Sequence, residues 1–355
     1  MSWTKQEIKT VALRTLYLFA AAILVIEIGL QVLRPSPDQR DALLGWKMKT
    51  DYHREFAQRT LGGKKYVVSF RTNADGFRVF GTDDKAPVKL LVLGDSFTMD
   101  PDASDNRMWY AKVAERLADH AHRPLRDYYV LAAGGGGWGT YQELLLAESI
   151  SRKIKPNLFV LQFCSNDFQN NSYEWESQSI TRGQYMRRPY ATLDGGGPFY
   201  APGIMAAIYR SRFGRLRFFN RADSVIAGFQ YKMYGGYTKP LPPDVQAKYE
   251  RDSIALTRML LTKLRQQFRD VPAVMVNCDG RNTGPNKQWK SIARDAGFIP
   301  LSGPSDFLRS LKPGERGNIY YSDGAHLADE GNQRYGTIAG DTIAALNLPS
   351  LNGKP

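Results

Sequence analysis

Cysteine and histidine are both scarce in this chain of 355 residues. Its two cysteines, Cys164 and Cys278, stand far apart and in no metal-ligand spacing, which excludes a zinc finger. Each lies in or just after an apolar run, so both are expected to be buried free thiols. No P-loop and no dinucleotide fingerprint is present, so nothing points to a nucleotide cofactor. Repeats and low-complexity tracts are also lacking. Acidic residues are in deficit, 35 against 48 Lys+Arg, and the formal charge of +13 suits an anionic neighbour such as a phospholipid surface, an acidic glycan or nucleic acid. With 43% hydrophobic residues, the chain has enough apolar material to fold.

The first positive feature is the apolar run from Leu16 to Leu33, broken only by Tyr17, Glu27, Gly29 and Gln31. Its length suffices to span a hydrocarbon core. Lys5, Lys9 and Arg14 precede it, which places the N-terminus in the cytoplasm, although Arg34 and Arg40 pull the other way. Ala20, Ala21 and Ala22 lie inside the run rather than after it, which favours an uncleaved anchor over a cleaved signal. Glu27 is expected to snorkel toward the headgroups. Pro35 and Pro37 end the segment.

Residues 40–84 are irregular, with one strand near Tyr66 to Arg71 and a turn at Asn73-Ala74-Asp75-Gly76. Strands and helices then alternate. Strands are predicted at Val88–Leu93, Tyr128–Leu131, Leu158–Phe163, Ala273–Val276 and Phe298–Leu301. Helices are predicted at Trp109–Leu117, Tyr141–Ile150, Tyr249–Phe268, Trp289–Ala296 and Gly331–Leu346. This alternation predicts a parallel sheet covered on both faces, with ligands at the carboxyl ends of its strands.

Residues 171–245 interrupt the pattern and read as an insertion. Between Thr181 and Pro240 there are ten Lys/Arg against two Asp/Glu, with twelve aromatics. At helical spacing, Arg210, Arg212, Arg215, Arg217 and Arg221 form a basic face beside Phe213, Phe218 and Phe219. That pattern suits an anionic membrane interface or, more blandly, a solvated face over an aromatic contact.

Four segments carry chemistry. Gly94-Asp95-Ser96-Phe97-Thr98 follows the first strand, where a serine hydroxyl is exposed beside helix-terminal N–H groups; an N-cap serine fits the same place. Gly134 to Gly137 follow the second strand, where bare N–H groups can approach a substrate or a flexible turn can form. Ser165-Asn166-Asp167 follows the third, offering an amide donor or an ordinary Asx turn. Asp323-Gly324-Ala325-His326 precedes the last helix. Among the four histidines His53, His120, His122 and His326, it is the last that has an acid three positions earlier beside a glycine. That acid can fix the tautomer and stabilise the imidazolium. His120 and His122 read as solvated surface, and His53 as structural.

In this order the four segments resemble the sequence blocks of SGNH (GDSL-like) hydrolases, well over residues 85–170 and 272–340. Asn73-x-x-Gly76-Phe77-Arg78 is weakly similar to a lead element of membrane-anchored members. The resemblance implies a three-layer α/β/α sandwich with a five-stranded parallel sheet. It assigns Ser96 as nucleophile, His326 as base and Asp323 as its acid. The implied oxyanion hole is the Ser96 N–H, a glycine N–H and the Asn166 side chain. The Gly-x-x-Gly spacing before Thr140-Tyr141-Gln142 selects Gly137. Two positions depart from the family pattern: Ala132, where asparagine is common, and Ser165, where glycine is.

The expected organisation is a cytoplasmic tip and anchor (1–34), a linker and lead segment (35–84), a hydrolase domain (85–346) interrupted at 171–245, and a tail (347–355). The expected activity is cleavage of an acyl or acetyl ester of a glycan or lipid, without metal or cofactor, by a domain held outside the inner membrane. The rivals are an O-acyltransferase acting on an envelope polysaccharide and a non-catalytic SGNH-fold envelope binding module. Relatives of the alginate-acetylation type often place the Asp-x-x-His block before the serine block, whereas here it comes last. Nucleic acid is not an expected partner, because a domain outside the cytoplasm rarely meets it.

Overall fold

A computed structural model describes residues 4–33, 36–81 and 84–351. Arg34, Pro35 and the tail beyond Leu351 lie outside the described residues. The chain divides into two compact units. One holds Met1–Pro37, Ser179–Arg187 and Ala201–Pro240; the other holds Asp38–Gln178, Arg188–Tyr200 and Leu241–Pro355.

The larger unit is built on a six-stranded sheet. Its strands are β1 (Arg78–Phe80), β2 (Val88–Gly94), β3 (Tyr128–Gly134), β4 (Leu158–Phe163), β5 (Ala273–Asn277) and β6 (Ile299–Leu301), in the order β6-β5-β4-β2-β3-β1. Five are parallel, as expected; the sixth, β1, adds antiparallel to β3 at the edge. The central strands are buried on both faces, which explains their continuous apolar runs. Leu91, Leu93, Phe159, Leu161 and Met275 point to one face, beneath the helices Thr140–Ile150, Pro243–Gln267 and Trp289–Asp295. Leu90, Val92, Val160, Val274 and Val276 point to the other, beneath Trp109–Ala121, Gly303–Ser310 and Asp329–Ala344. The result is a three-layer α/β/α sandwich.

The lead segment is more regular than its sequence suggests. Asp38–Asp41 pairs with Gly45–Met48, and His53–Arg59 pairs with Lys65–Arg71, each antiparallel. The turn ahead of β1 is held by Asn73, whose Oδ1 accepts from the N–H groups of Asp75 (3.0 Å) and Phe77 (2.9 Å). Gly76 takes the positive φ there, and an added Cβ would sit 2.6 Å from the Met48 carbonyl oxygen. This turn delivers Arg78, which is fully buried, into the loop that follows Ser96. Its guanidinium donates to the carbonyls of Met99 (3.1 Å), Asp100 (2.6 Å) and Ala103 (2.8 Å) and pairs with Asp105 (2.7 Å).

The two cysteines are not free thiols. Cys164, just past β4, and Cys278, just past β5, form a disulfide with a Cα–Cα distance of 5.1 Å. The parallel register pairs Asn277 with Phe163, so the next residue of each strand lies side by side. Nothing in the 114-residue separation signals this contact.

In the smaller unit, helix Lys5–Leu33 is long and apolar enough to cross a membrane. The basic run after Ile204 is not one helix. It is split into helix Ile204–Arg210, a 3₁₀ turn at Phe213–Arg215 and helix Arg217–Tyr234. Ser211 is extended and its hydroxyl accepts from the Phe213 N–H (3.1 Å), which breaks the helical spacing read from the arginines.

Arg78→Met removes a buried charge from a fully engaged site and leaves three carbonyls and Asp105 short of a donor, a loss of about 3–5 kcal/mol. Thermal unfolding of the purified chain should drop by roughly 6 °C or more. A variant melting within a degree of wild type would show that Arg78 does not hold this loop.

Candidate active site

The site is assembled from turns at the carboxyl ends of β2, β3 and β4 and the loop ahead of the last helix. Asp95 caps the short helix Ser96–Met99 by accepting from the Phe97 N–H (3.0 Å), and Ser96 is left half-buried at the turn. The Ser96 hydroxyl lies 2.8 Å from His326 Nε2, and His326 Nδ1 lies 2.6 Å from Asp323 Oδ2. Asp323 Oδ1 accepts from the backbone N–H groups of Ala325 (2.8 Å) and His326 (3.0 Å), so its free oxygen is aimed at the ring. Tyr321 stacks on the imidazole at 5.5 Å and Phe97 lies against it at 4.6 Å. The sequence-predicted serine, histidine and aspartate are therefore brought into one hydrogen-bonded chain.

Burial opposes charge on His326, but the Asp323 hydrogen bond and the field of Asp100 and Asp323 prevail and raise its pKa to about 8. Asp323 is also partly buried; the bonds from His326 and the two backbone N–H groups outweigh this and hold its carboxyl below the usual range.

Asn166 and Gly137 are held by different partners. Asn166 Nδ2 donates to Asp95 Oδ2 (3.1 Å), which ties the third turn to the first and leaves its second N–H for another acceptor. Gly137 adopts φ +67°, a conformation that favours glycine. Its carbonyl accepts from Arg188 Nη2 (2.6 Å) and Asn170 Nδ2 (3.1 Å). Ser165 instead bonds Asp279 (2.5 Å), and Ala132 lies in the sheet between Val92 and Arg78. Neither of these departures from the family pattern removes a member of the hydrogen-bonded chain. His120 lies 3.0 Å from Asp341 on the exposed side of helix Trp109–Ala121, as a surface histidine does.

Sequence reasoning missed the brace behind the glycine loop. Arg188 is 1% exposed and pairs with the equally buried Glu176 (2.6 and 2.8 Å). Tyr190 donates to the same carboxylate (2.7 Å), and Arg188 also donates to Gln142. On the other side, the Trp46 indole donates to the Gly136 carbonyl (3.1 Å) and the Trp138 indole donates to the Trp46 carbonyl (3.1 Å). The segment 188–200 thus belongs to the larger unit, although its sequence reads as part of a basic insertion. A second feature with no sequence signal is the buried trio Asp95, Glu143 and Asp167. Burial pushes Glu143 and Asp167 well above the ordinary carboxylate range, with Asp95 adding to both. Burial likewise pushes Asp95 up, against the Phe97 and Asn166 bonds.

No family model matches the sequence, and no curated protein matches it. Solved structures do resemble the fold. TesA is 14% identical over 73% of this chain and 99% of its own, with a TM-score of 0.37. The acetyl xylan esterase AlAXEase is 16% identical over 72% and 100%, with a TM-score of 0.39. The esterase EstA of Pseudoalteromonas sp. is 12% identical over 73% and 98%, with a TM-score of 0.35. Superpositions this loose leave the functional argument to the site itself.

The raised His326 pKa has a direct readout. The imidazole NMR resonances should titrate with a midpoint of about 8. Asp323→Asn, which removes the largest raising interaction, should move that midpoint downward. Titration of wild-type His326 below 6.5, or no shift in the variant, would contradict the geometry.

Proposed function

We propose that the chain is a serine ester hydrolase of the SGNH type. The observation that carries the reading is the Ser96–His326–Asp323 chain, with links of 2.8 and 2.6 Å. His326 Nε2 takes the Ser96 proton as Oγ attacks the acyl carbon, and Asp323 holds the Nδ1–H tautomer and the imidazolium. The tetrahedral oxyanion is held by the N–H groups of Ser96 and Gly137 and by the Asn166 side chain. His326 then protonates the leaving alcohol. Water, activated by the same base, releases the acid from the acyl-enzyme. Because the base must be neutral, kcat/KM should rise with pH through about 8, the pKa of the imidazole.

Arg188 acts in this scheme as a positioning residue for the Gly137 N–H, since it fixes the opposite end of the same peptide turn. Acyl or acetyl esters of glycans or lipids suit a catalytic unit attached to a membrane by Lys5–Leu33. Lys5, Lys9 and Arg14, on the first turns of that helix ahead of its apolar run, support an extracytoplasmic catalytic unit, as does the Cys164–Cys278 disulfide, which suits an oxidising compartment.

Ser96→Ala should abolish both fluorophosphonate labelling and cleavage of short-chain p-nitrophenyl esters without lowering the melting temperature. Undiminished turnover by this variant would sink the assignment. Arg188→Gln should lower kcat for the same ester by about 10²-fold, as loss of one oxyanion donor does, with KM nearly unchanged. A change confined to KM would place Arg188 in substrate binding instead. Adding a sugar alcohol during turnover separates hydrolysis from acyl transfer by the product formed.

A further inference from the structure

Glu27 is not a snorkelling carboxylate. It is buried at 7% exposure, and Gln31 Nε2 donates to its Oε1 (2.6 Å). The backbone N–H groups of Arg217 (2.9 Å) and Phe218 (2.8 Å) donate to its two oxygens. These are the first two residues of helix Arg217–Tyr234, whose own N-cap residue, Leu216, supplies no side-chain cap. The apolar N-terminal helix thus caps the second helix from outside. Three donors and the positive end of a helix make a carboxylate tolerable where water is scarce.

Helix Arg217–Tyr234 is unusual in what it fails to bury. None of its described side chains is buried in the protein. The side it turns inward is only half-buried, along Asn220, Asp223, Ala227, Gln230 and Tyr234, so it packs no apolar face on the protein, although most helical stability comes from packing one. Such a face exists. Val225, Ile226, Phe229 and Met233 are 55%, 45%, 68% and 72% exposed. At 100° per residue they fall within an arc of about 100°. Arg217, Arg221 and Lys232 border that arc on one side, and Asp223 is the helix's single acid.

We propose that this face docks into the bilayer crossed by Lys5–Leu33, so that the helix lies in the membrane interface with Glu27 as its fixed point. The inference rests on reading Lys5–Leu33 as a membrane anchor. Glu27 stands six residues before Leu33, so the cap lies about 9 Å inside the end of the apolar helix. Interfacial helices bury their apolar faces to a depth of about 5–10 Å, and basic residues at the edge of the face meet anionic headgroups. Continuity with the anchor and the basic border select lipid as the occupant, over a second protein.

The test uses the full-length chain reconstituted in vesicles of phosphatidylethanolamine and phosphatidylglycerol. Its two native cysteines are paired in a disulfide, so a single added cysteine can carry a nitroxide. At Phe229→Cys and Met233→Cys, oxygen should relax the probe severalfold more strongly than a water-soluble nickel complex. At Ser224→Cys, on the opposite face, that preference should reverse. Glu27→Ala should shift the Phe229 probe toward nickel while the chain stays with the membrane. A Phe229 probe that prefers nickel lies in water, and one shielded from both relaxants is packed on protein; either result overturns the proposal. An unchanged Phe229 reading in Glu27→Ala overturns the role given to the cap. Release of the wild-type chain by alkaline carbonate would overturn the anchor reading and this inference with it. Retention of the chain with a water-exposed probe would overturn the inference alone.

Discussion

Everything at the site depends on how closely two strand ends approach. Gly94 and Gly134 are partners in the parallel ladder of β2 and β3. A Cβ on Gly134 would sit 2.4 Å from the Gly94 carbonyl oxygen, and one on Gly94 would run into Thr98 and Gln162. A side chain at Gly134 would push apart the turn that carries Ser96 and the turn that carries Gly137, and one at Gly94 would wedge the Ser96 turn away from β4. The parallel sheet supplies the rest, because its strands deliver their loops to one edge. Asn166 and the disulfide arrive there from β4 and β5.

A second constraint is carried by two buried arginines. Arg78 gathers the carbonyls of the loop after Ser96, and Arg188 pins the carbonyl of Gly137. Arg78 spends its donors on three backbone carbonyls and a carboxylate, and Arg188 on one carbonyl, the Gln142 amide oxygen and a carboxylate, which is what a planar guanidinium with five N–H groups does well. The two turns that must face one another are thus each braced from behind by a residue that never approaches the serine hydroxyl in sequence.

The sheet and the serine, histidine and aspartate positions were legible because their signals are local. Apolar strands end in glycine or polar turns, and Asp323 stands three residues from His326. What stayed hidden depends on distant partners. Arg188 looks like one of the ten basic residues between Thr181 and Pro240, because Glu176, which neutralises it, lies just before that stretch. The pairing of Cys164 with Cys278 follows from the β4–β5 register and from nothing near either cysteine. Of the four lead strands only the one near Tyr66–Arg71 showed an apolar alternation; Asp38–Asp41 and His53–Arg59 are largely exposed, and Gly45–Met48 is four residues long. The basic run after Ile204 misled in the opposite direction, since helical spacing persists across a break that one serine hydroxyl introduces.

In the proposed mechanism Ser96 becomes acylated. Acid quenching in the first turnovers of a p-nitrophenyl acetate reaction, followed by peptide mass spectrometry, tests it most directly. An acetyl group is expected on the peptide containing Ser96 and on no other residue. Rapid ester cleavage with the acetyl group on another side chain, or with no covalent intermediate under conditions that trap one, would contradict it.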